Sequence, residues 1–469
     1  MLQAAPSENA ILAPGLRPNY LNSLENAAQG LGALAPTGTL GVIIPLLIGK
    51  AGNGTWLVLL LTFCAFILIL LCVREFAARR ATAGSLGAYA RAGLGPAGGA
   101  IGGWAYAIAL VFGVASAAPP SAYYFDLVIS QATGVPGTAL RQWLLVALIV
   151  ILAAWAAARD VKLSTHLMLG VEVSSVLVAL AIILIGVGHA HAWLDRAQLR
   201  LEGVHPGPIR LSLVLAFLSF AGIESVTTLG DEAERATRTI PRVLLGSLLP
   251  MGVLLIFATY GMTSLSHRNA MGLDQAEAPL DVIARSFRAP CLGTASSLAV
   301  AISYFGCTLA SLNAGARVLY SMSRSGLFPA AFAQVHPLNR TPLRATALIA
   351  VIGLLCPAIL LIAGATLTHC IDYLSQLSAF GYILAYFSVC LALPAFLRRQ
   401  HVLRPHHLII ALAALGVLGI VLALSVYPAP APPWRYLPYA FAALMAGGGA
   451  ISAICLGWEP RRGGDPASA

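Results

Sequence analysis

SLVLAFLSFAGIESVTTLGDE, residues 212–232, is the stretch on which the fold turns. It starts as a run that lipid would accept, yet Gly222 and the acid Glu224 sit in its middle. An uncompensated charge at that depth costs at least about 3 kcal/mol, so an acid there points to function by default. A second stretch, ENAAQGLGALAPTGTLGVIIPLL (25–47), is interrupted in the same way. Pro36 removes an amide donor and Gly38 weakens the helix near mid-depth. Glycine and proline also kink membrane helices with no further consequence. The two interruptions gain weight from their matching places, each at the start of a block of five apolar runs.

The rest of the chain fits a lipid solvent. With 58% hydrophobic and 10% charged residues and a mean hydropathy of +0.83, it holds more apolar surface than a water-soluble core of this length can hide. Runs such as Trp56 to Val73, Trp143 to Ala158 and Leu408 to Val426 have the length a bilayer demands. Only helices satisfy their backbone within such runs. The pattern predicts an all-α integral membrane protein with twelve transmembrane helices near 24–48, 56–73, 97–130, 142–158, 163–188, 210–230, 240–264, 291–322, 343–366, 371–397, 407–427 and 434–457. The first twenty residues lack a basic-then-apolar leader pattern, so no cleaved secretory peptide is expected.

The net charge of +10 comes from basic residues scattered between spans, with no basic stripe, and nucleic acid is not an expected partner. Placing the N-terminus in the cytoplasm gathers most Lys and Arg on the inner side, including Arg74, Arg79, Arg80, Arg91, Arg235, Arg238, Arg324, Arg398 and Arg399. An even span count then puts both termini in the cytoplasm, and the membrane expected is the plasma membrane. The eight cysteines lie mostly in apolar runs without CxxC spacing and read as small buried hydrophobes. His189 and His191 lack further ligands, so neither a metal nor a cofactor is expected.

Interrupted helices at matching positions of two halves point to a transporter's midplane site, and five spans per half imply inverted repeats. The division expected is a tail at 1–23, a first repeat at 24–188, a second at 210–398, peripheral helices at 407–457 and a tail at 458–469. A protein built of two six-helix halves would place the second interruption near the seventh span instead.

Three motifs carry a family resemblance. FLSFAGIESVTTLGDEAERATRTIPRVLLGS (217–247) resembles the sixth-helix signature of the amino acid–polyamine–organocation (APC) superfamily permeases. REFAARRATAGSLGAYARAGLGPAGGAIGGW (74–104) is similar to that family's junction between helices 2 and 3. The landmarks from Asn313 through Arg317, Tyr320, Arg324, Gly326, Phe328 and Pro329 to Pro342 resemble its loop after helix 8. The resemblance implies a five-plus-five inverted-repeat (LeuT-type) core with discontinuous helices 1 and 6, two peripheral helices and alternating access. Two features depart from the family pattern. The helix 1 break is Ala35-Pro36-Thr37-Gly38-Thr39 where glycines are usual, and helix 5 offers Glu172 and Ser175 where many relatives have a lysine.

A zwitterion entering such a site needs both charges compensated, and broken helices offer free N–H groups at one end and free carbonyls at the other. The expected substrate contacts are N–H groups at Gly38 and the Thr37 and Thr39 hydroxyls for a carboxylate. Carbonyls near Ala35 and from Phe220 through Ala221 to Gly222 would meet an ammonium. Phe217 and Phe220 are expected to close over the substrate, and Ser219, Ile223 and Tyr304 to shape its pocket. Glu224 reads as a tie from the break to helix 1 or helix 10, or as a coupling acid; Glu172, beside Ser175, reads as a proton carrier or as a satisfied contact between packed helices. Thr308 and Ser311 are the hydroxyls that sodium would use. With no pocket acid beyond Glu224, the substrate expected is a neutral amino acid, a polyamine or cationic amino acid being the alternative. Expected partners are that small molecule, membrane lipid and a coupling proton. A transport-fold sensor and an intramembrane enzyme are the competing classes; the inner loops are short for a signalling role, and no nucleophile–base cluster is seen in the sequence.

Overall fold

The computed structural model describes residues 15–268, 272–427 and 432–457, so most of each expected tail, 1–14 and 458–469, lies outside the described residues. The helices run in chain order as α1 (Ser23–Leu34), α2 (Pro36–Gly38), α3 (Ile44–Ala51), α4 (Thr55–Ala77), α5 (Ser85–Thr133), α6 (Ala139–Arg159), α7 (Val161–His189) and α8 (Arg196–Leu199). They continue as α9 (Pro206–Phe217), α10 (Ala236–Ser266), α11 (Pro279–Ser286), α12 (Pro290–Arg324), α13 (Leu343–Ile362), α14 (Leu367–Arg399), α15 (Pro405–Val426) and α16 (Leu437–Gly457). Among the described residues, ten stretches are long and apolar enough to cross a membrane. The first of them, Ser23–Ala77, is itself interrupted at Ala35 and turns again at Gly52.

Both interruptions foreseen from the sequence are present. α1 opens on a capping box, Asn22 with Glu25, and stops where Ala35 takes a left-handed conformation at φ 42°, ψ 63°. Pro36 then restarts the chain as the first residue of α2. A π-helical segment follows over Thr39–Ile43, and its cause is local. Pro45 has no N–H to give to the carbonyl four residues back, Gly41, and the Tyr124 hydroxyl of α5 donates to that carbonyl at 3.0 Å instead. The second interruption runs through a turn at 218–221 to Gly222, at φ 103°, and resumes as a 3-10 segment, Ile223–Leu229.

The two breaks touch. A β-carbon at Gly222 would meet both the Ala33 side chain and its carbonyl oxygen at 3.2 Å, and one at Gly30 would meet Val226 at 2.7 Å. Small residues here let the backbones of two broken helices approach each other. Around this pair, α5 packs along α12 and α14, α7 lies against α1 and α12, and α4 lies against α10. α16 packs on α5 and α14 at the periphery.

The face bearing the start of α1 is closed. Tyr20 and Leu21 donate backbone N–H groups to the Glu232 carbonyl at 2.7 and 2.9 Å, and Glu234 returns one to Leu21 at 2.8 Å. Arg317 of α12 and Glu232 form a buried ion pair beneath this strap. Arg17 binds Asp160 at 3.0 Å.

Ala35 holds a left-handed conformation that costs an L-residue roughly 1–2 kcal/mol, and a β-branched side chain tolerates it worst. Ala35→Gly is expected to leave the thermal unfolding midpoint unchanged or slightly raised, and Ala35→Val to lower it by several degrees. Equal midpoints for the valine variant and the parent would show that this hinge stores no strain.

Candidate functional site

A cavity of about 420 Å³ begins at the two breaks and runs to the face opposite the strap. That size suits a small organic molecule. Its inner part is lined by Ala33 to Ala35 and Thr39 from the first broken helix, by Leu218 and Ala221 from the second, and by Tyr304, Cys307, Ser116, Ser311 and Tyr382 from α12, α5 and α14. Its mouth carries Lys50, Asp372 and Trp434. Among the described lining residues Lys50 and Asp372 are the charged ones, and both stand at the mouth. The inner part presents hydroxyls, small side chains and backbone.

Backbone groups at the breaks are unevenly spent. The carbonyls of Leu218, Ser219, Phe220 and Ala221 accept none of the described hydrogen bonds, whereas Ala33 takes the Cys307 thiol at 3.4 Å. Free carbonyls beside a cavity suit an ammonium group. On the donor side, the Gly38 N–H is given to the Ser303 hydroxyl at 3.3 Å, and the Thr39 N–H to Ala35 at 2.8 Å. The Thr37 N–H has no acceptor among the described residues.

The expected site residues therefore divide. Ala35, Thr39, Ala221 and Tyr304 line the cavity. Thr37 and Gly38 lie just behind it: the Thr37 hydroxyl donates to Ser175 at 3.1 Å, and a β-carbon on Gly38 would strike the Tyr304 ring at 2.8 Å. Gly222 joins the two breaks, and Ile223 packs over Gly30. Ser219 is buried with its hydroxyl unpartnered among the described residues. Phe217 and Phe220 turn toward α4, where Phe217 meets Phe66 at 4.8 Å between ring centroids and Phe220 meets Phe63 and Phe66 at 5.8 and 5.7 Å.

The two acids serve the breaks. Glu224 is fully buried; it accepts the Gly222 N–H at 3.0 Å and the Tyr386 hydroxyl of α14. Tyr382, which lines the cavity, stacks on Tyr386, so a layer of aromatic rings separates the cavity from this carboxylate. Glu172 of α7, 2% exposed, accepts the Ser303 hydroxyl at 3.0 and 3.2 Å. Since Ser303 also receives the Gly38 N–H, Glu172 reaches the restart of the first helix through one serine. Ser175 closes a second arm by donating to the Glu172 carbonyl at 3.1 Å. Of the two hydroxyls considered for sodium, Thr308 donates to the Tyr304 carbonyl at 2.9 Å and Ser311 lines the cavity.

Sequence reasoning missed Cys307, Ser116, Tyr382, Lys50 and Asp372. Clusters of Gly, Ala and Ser in the third and tenth spans hinted at a close approach, but the same composition also serves helix packing.

Comparison with known proteins places this arrangement. A family model described as "Amino acid permease" matches residues 27–446. The methylthioribose transporter of Bacillus subtilis is 23% identical over 345 residues, 71% of this chain and 73% of that protein. The branched-chain amino acid permease BcaP of the same organism is 22% identical over 400 residues, 81% of each. Among solved structures, MhsT in complex with L-phenylalanine superposes with a TM-score of 0.61 at 15% identity, covering 87% of this chain and 99% of that one. At that identity the likeness is one of fold.

Cys307 lines the cavity, whereas Cys72 and Cys390 are fully buried. A small methanethiosulfonate reagent followed by site-resolved mass spectrometry is expected to label Cys307 and spare the other two. Protection of Cys307 equal to that of Cys72 would mean that the cavity is not reached from solvent.

Proposed function

Since the chain belongs to the amino acid permease family of the APC superfamily, we propose that it carries neutral amino acids across the plasma membrane by alternating access. A multi-pass membrane transporter of a small molecule follows from the family and its relatives. The finer reading rests on one observation: two touching helix breaks line a cavity that opens to one face, while a strap and a buried ion pair close the other.

The inner cavity favours a zwitterion by what it lacks as well as what it holds. It has backbone carbonyls for an ammonium and hydroxyls with the Thr37 N–H nearby for a carboxylate, but among the described residues no charged side chain to select a second charge. A cationic substrate would draw on Asp372, and Lys50 at the same mouth offsets that attraction. Apolar neighbours, Val42, Ile43, Val214 and Leu215, suit an apolar substrate side chain.

In this reading Ser23–Ala51 is the first span, Thr55–Ala77 the second, and Pro206–Leu229 the sixth, giving twelve in all. Residues 24–188 and 210–398 form the two repeats, both termini face the cytoplasm, and the cavity opens outward. Glu172 is the coupling group, because its carboxyl holds the restart of helix 1 through Ser303. Protonation on the outer side releases that hold as substrate binds, so a proton enters with the substrate.

Counterflow in proteoliposomes tests the transport reading. Liposomes preloaded with unlabelled leucine or phenylalanine are expected to accumulate the labelled amino acid, with putrescine and lysine competing poorly. Accumulation of putrescine or lysine alone would move the assignment to organic cations, and no accumulation of any of them would overturn it.

Coupling is tested separately. An inward proton gradient is expected to drive uptake in the parent, and Glu172→Gln to cut that gradient-driven uptake at least about ten-fold, a change of roughly 1.4 kcal/mol, while counterflow persists. A variant whose response to the gradient equals the parent's would remove Glu172 from the coupling step.

A further inference from the structure

A second cavity, of about 250 Å³, lies at the strap face, remote from the breaks. It is formed where the connection from α4 enters α5, where α5 bends at Gly95 (φ 80°), and where α12 ends. Two arginines line it, Arg80 and Arg91, together with the hydroxyl-bearing Thr82 and Ser321. Its floor is glycine: a β-carbon at Gly87 would come within 2.7 Å of Gly103, and one at Gly99 within 2.7 Å of the Arg91 stem. Bare backbone keeps the space open.

What sets this place apart is that two arginines share one cavity. Some arginines of the same face have partners: Arg79 binds Glu75 at 2.5 Å, Arg17 binds Asp160 at 3.0 Å, Arg317 binds Glu232, and Arg324 binds the Tyr320 hydroxyl at 3.1 Å. Others, such as Arg235, Arg238 and Arg398, are exposed and without a partner among the described residues, but they line neither cavity. Among the described residues, the Arg80 and Arg91 side chains have neither a hydrogen bond nor an ion pair, though they line one cavity. Asp231, the acid nearest in sequence to the strap's Glu232, forms no ion pair with either arginine and does not line the space. Both arginines are exposed, and with no carboxylate partner among the described residues they leave positive charge concentrated at one pocket, which favours an anion there.

We propose that this cavity binds a phosphate group, brought either by the headgroup of an anionic phospholipid or by a soluble phosphate compound. Planar guanidinium groups bind phosphate oxygens in pairs, and two of them match its charge. The hydroxyl of Ser321, which takes part in none of the described hydrogen bonds, is free to add a donor. Basic pockets between membrane helices take lipid headgroups in this manner. An anion here ties the α4–α5 connection to the end of α12, two parts of the chain that meet at the closed face. This inference is independent of the identity of the transported molecule.

The full-length protein, stripped of lipid in a maltoside detergent, is titrated with inorganic phosphate, with phosphatidylglycerol, and with sodium chloride at matched ionic strength. Thermal unfolding is followed throughout. The expected result is a saturable rise in midpoint with at least one phosphate source and none with chloride. A response to inorganic phosphate identifies a soluble ligand; a response to phosphatidylglycerol alone identifies a headgroup. Arg80→Gln with Arg91→Gln is expected to weaken the apparent affinity at least about ten-fold, whereas Arg398→Gln with Arg399→Gln, outside the cavity, leaves it unchanged. Ser321→Leu fills the space, keeps both charges and is expected to show the same loss if the double variant does not fold. The proposal is overturned if the parent responds to neither phosphate source, or if filling the cavity or removing both arginines leaves the response intact.

Discussion

A backbone amide in hydrocarbon has no water to turn to, and this protein is organised around the few that its helices leave open. α1 and α9 each stop partway through the apolar layer, and their ends meet where Gly222 lies against Ala33. Bringing the two gaps together gathers their open backbone groups in one region of the molecule. It also confines the polar exposure to one place, which the cavity reaches from a single face. Were either helix continuous, it would offer the cavity no free backbone groups, and the polar lining would be left to side chains such as Ser116 and Ser311.

The two buried acids do parallel work at these gaps. Glu224 takes the Gly222 N–H directly, and Glu172 takes the Gly38 N–H through Ser303. In both cases a glycine next to a break gives its amide to a carboxylate system contributed by, or anchored to, another helix: Tyr386 of α14 for one, Ser303 of α12 for the other. The settings differ in their access. Aromatic rings of Tyr382 and Tyr386 cover Glu224, while Glu172 is one serine removed from a segment that lines the cavity. An acid that only shapes the break can stay covered. Under the proposed coupling an acid that exchanges a proton needs a route, and Ser303, whose hydroxyl binds the Glu172 carboxylate, is the group that begins it.

Much of the fold was legible because lipid imposes a coarse grammar. Span lengths follow from hydropathy, and both breaks announced themselves as Pro, Gly and an acid where none should stand. The π-helical turn after the first break was within reach too, since Pro45 leaves the Gly41 carbonyl without its donor; what the sequence does not reveal is that Tyr124, some eighty positions on, fills the vacancy. Directions of side chains were beyond reach for the same reason. Phe217 and Phe220 flank the second break in sequence, but the turn at 218–221 rotates them toward Phe63 and Phe66 on α4 and leaves Leu218 and Ala221 facing the cavity. Periodicity places a residue on a helix face only while the helix continues, and a broken helix forfeits that rule at the site itself.

The closed face is held by backbone hydrogen bonds of the strap and by a buried ion pair. Under the proposed alternating access, opening there separates the strap from Glu232 and disturbs the buried pair of Arg317 with Glu232. Removing one partner of a buried pair typically costs about 3–5 kcal/mol because the other charge is stranded. Separation during a cycle differs, since the opening that parts the two groups also admits water to both. Their desolvation is undone as their attraction is lost, and the net difference between states becomes small. A small difference is what alternation requires: a bound guest can shift the balance only by the excess of its affinity for one state over the other. A charged pair at this face therefore gives a seal that is firm when dry and weak when wet, whereas an apolar seal of equal area would lose its full burial energy on every opening.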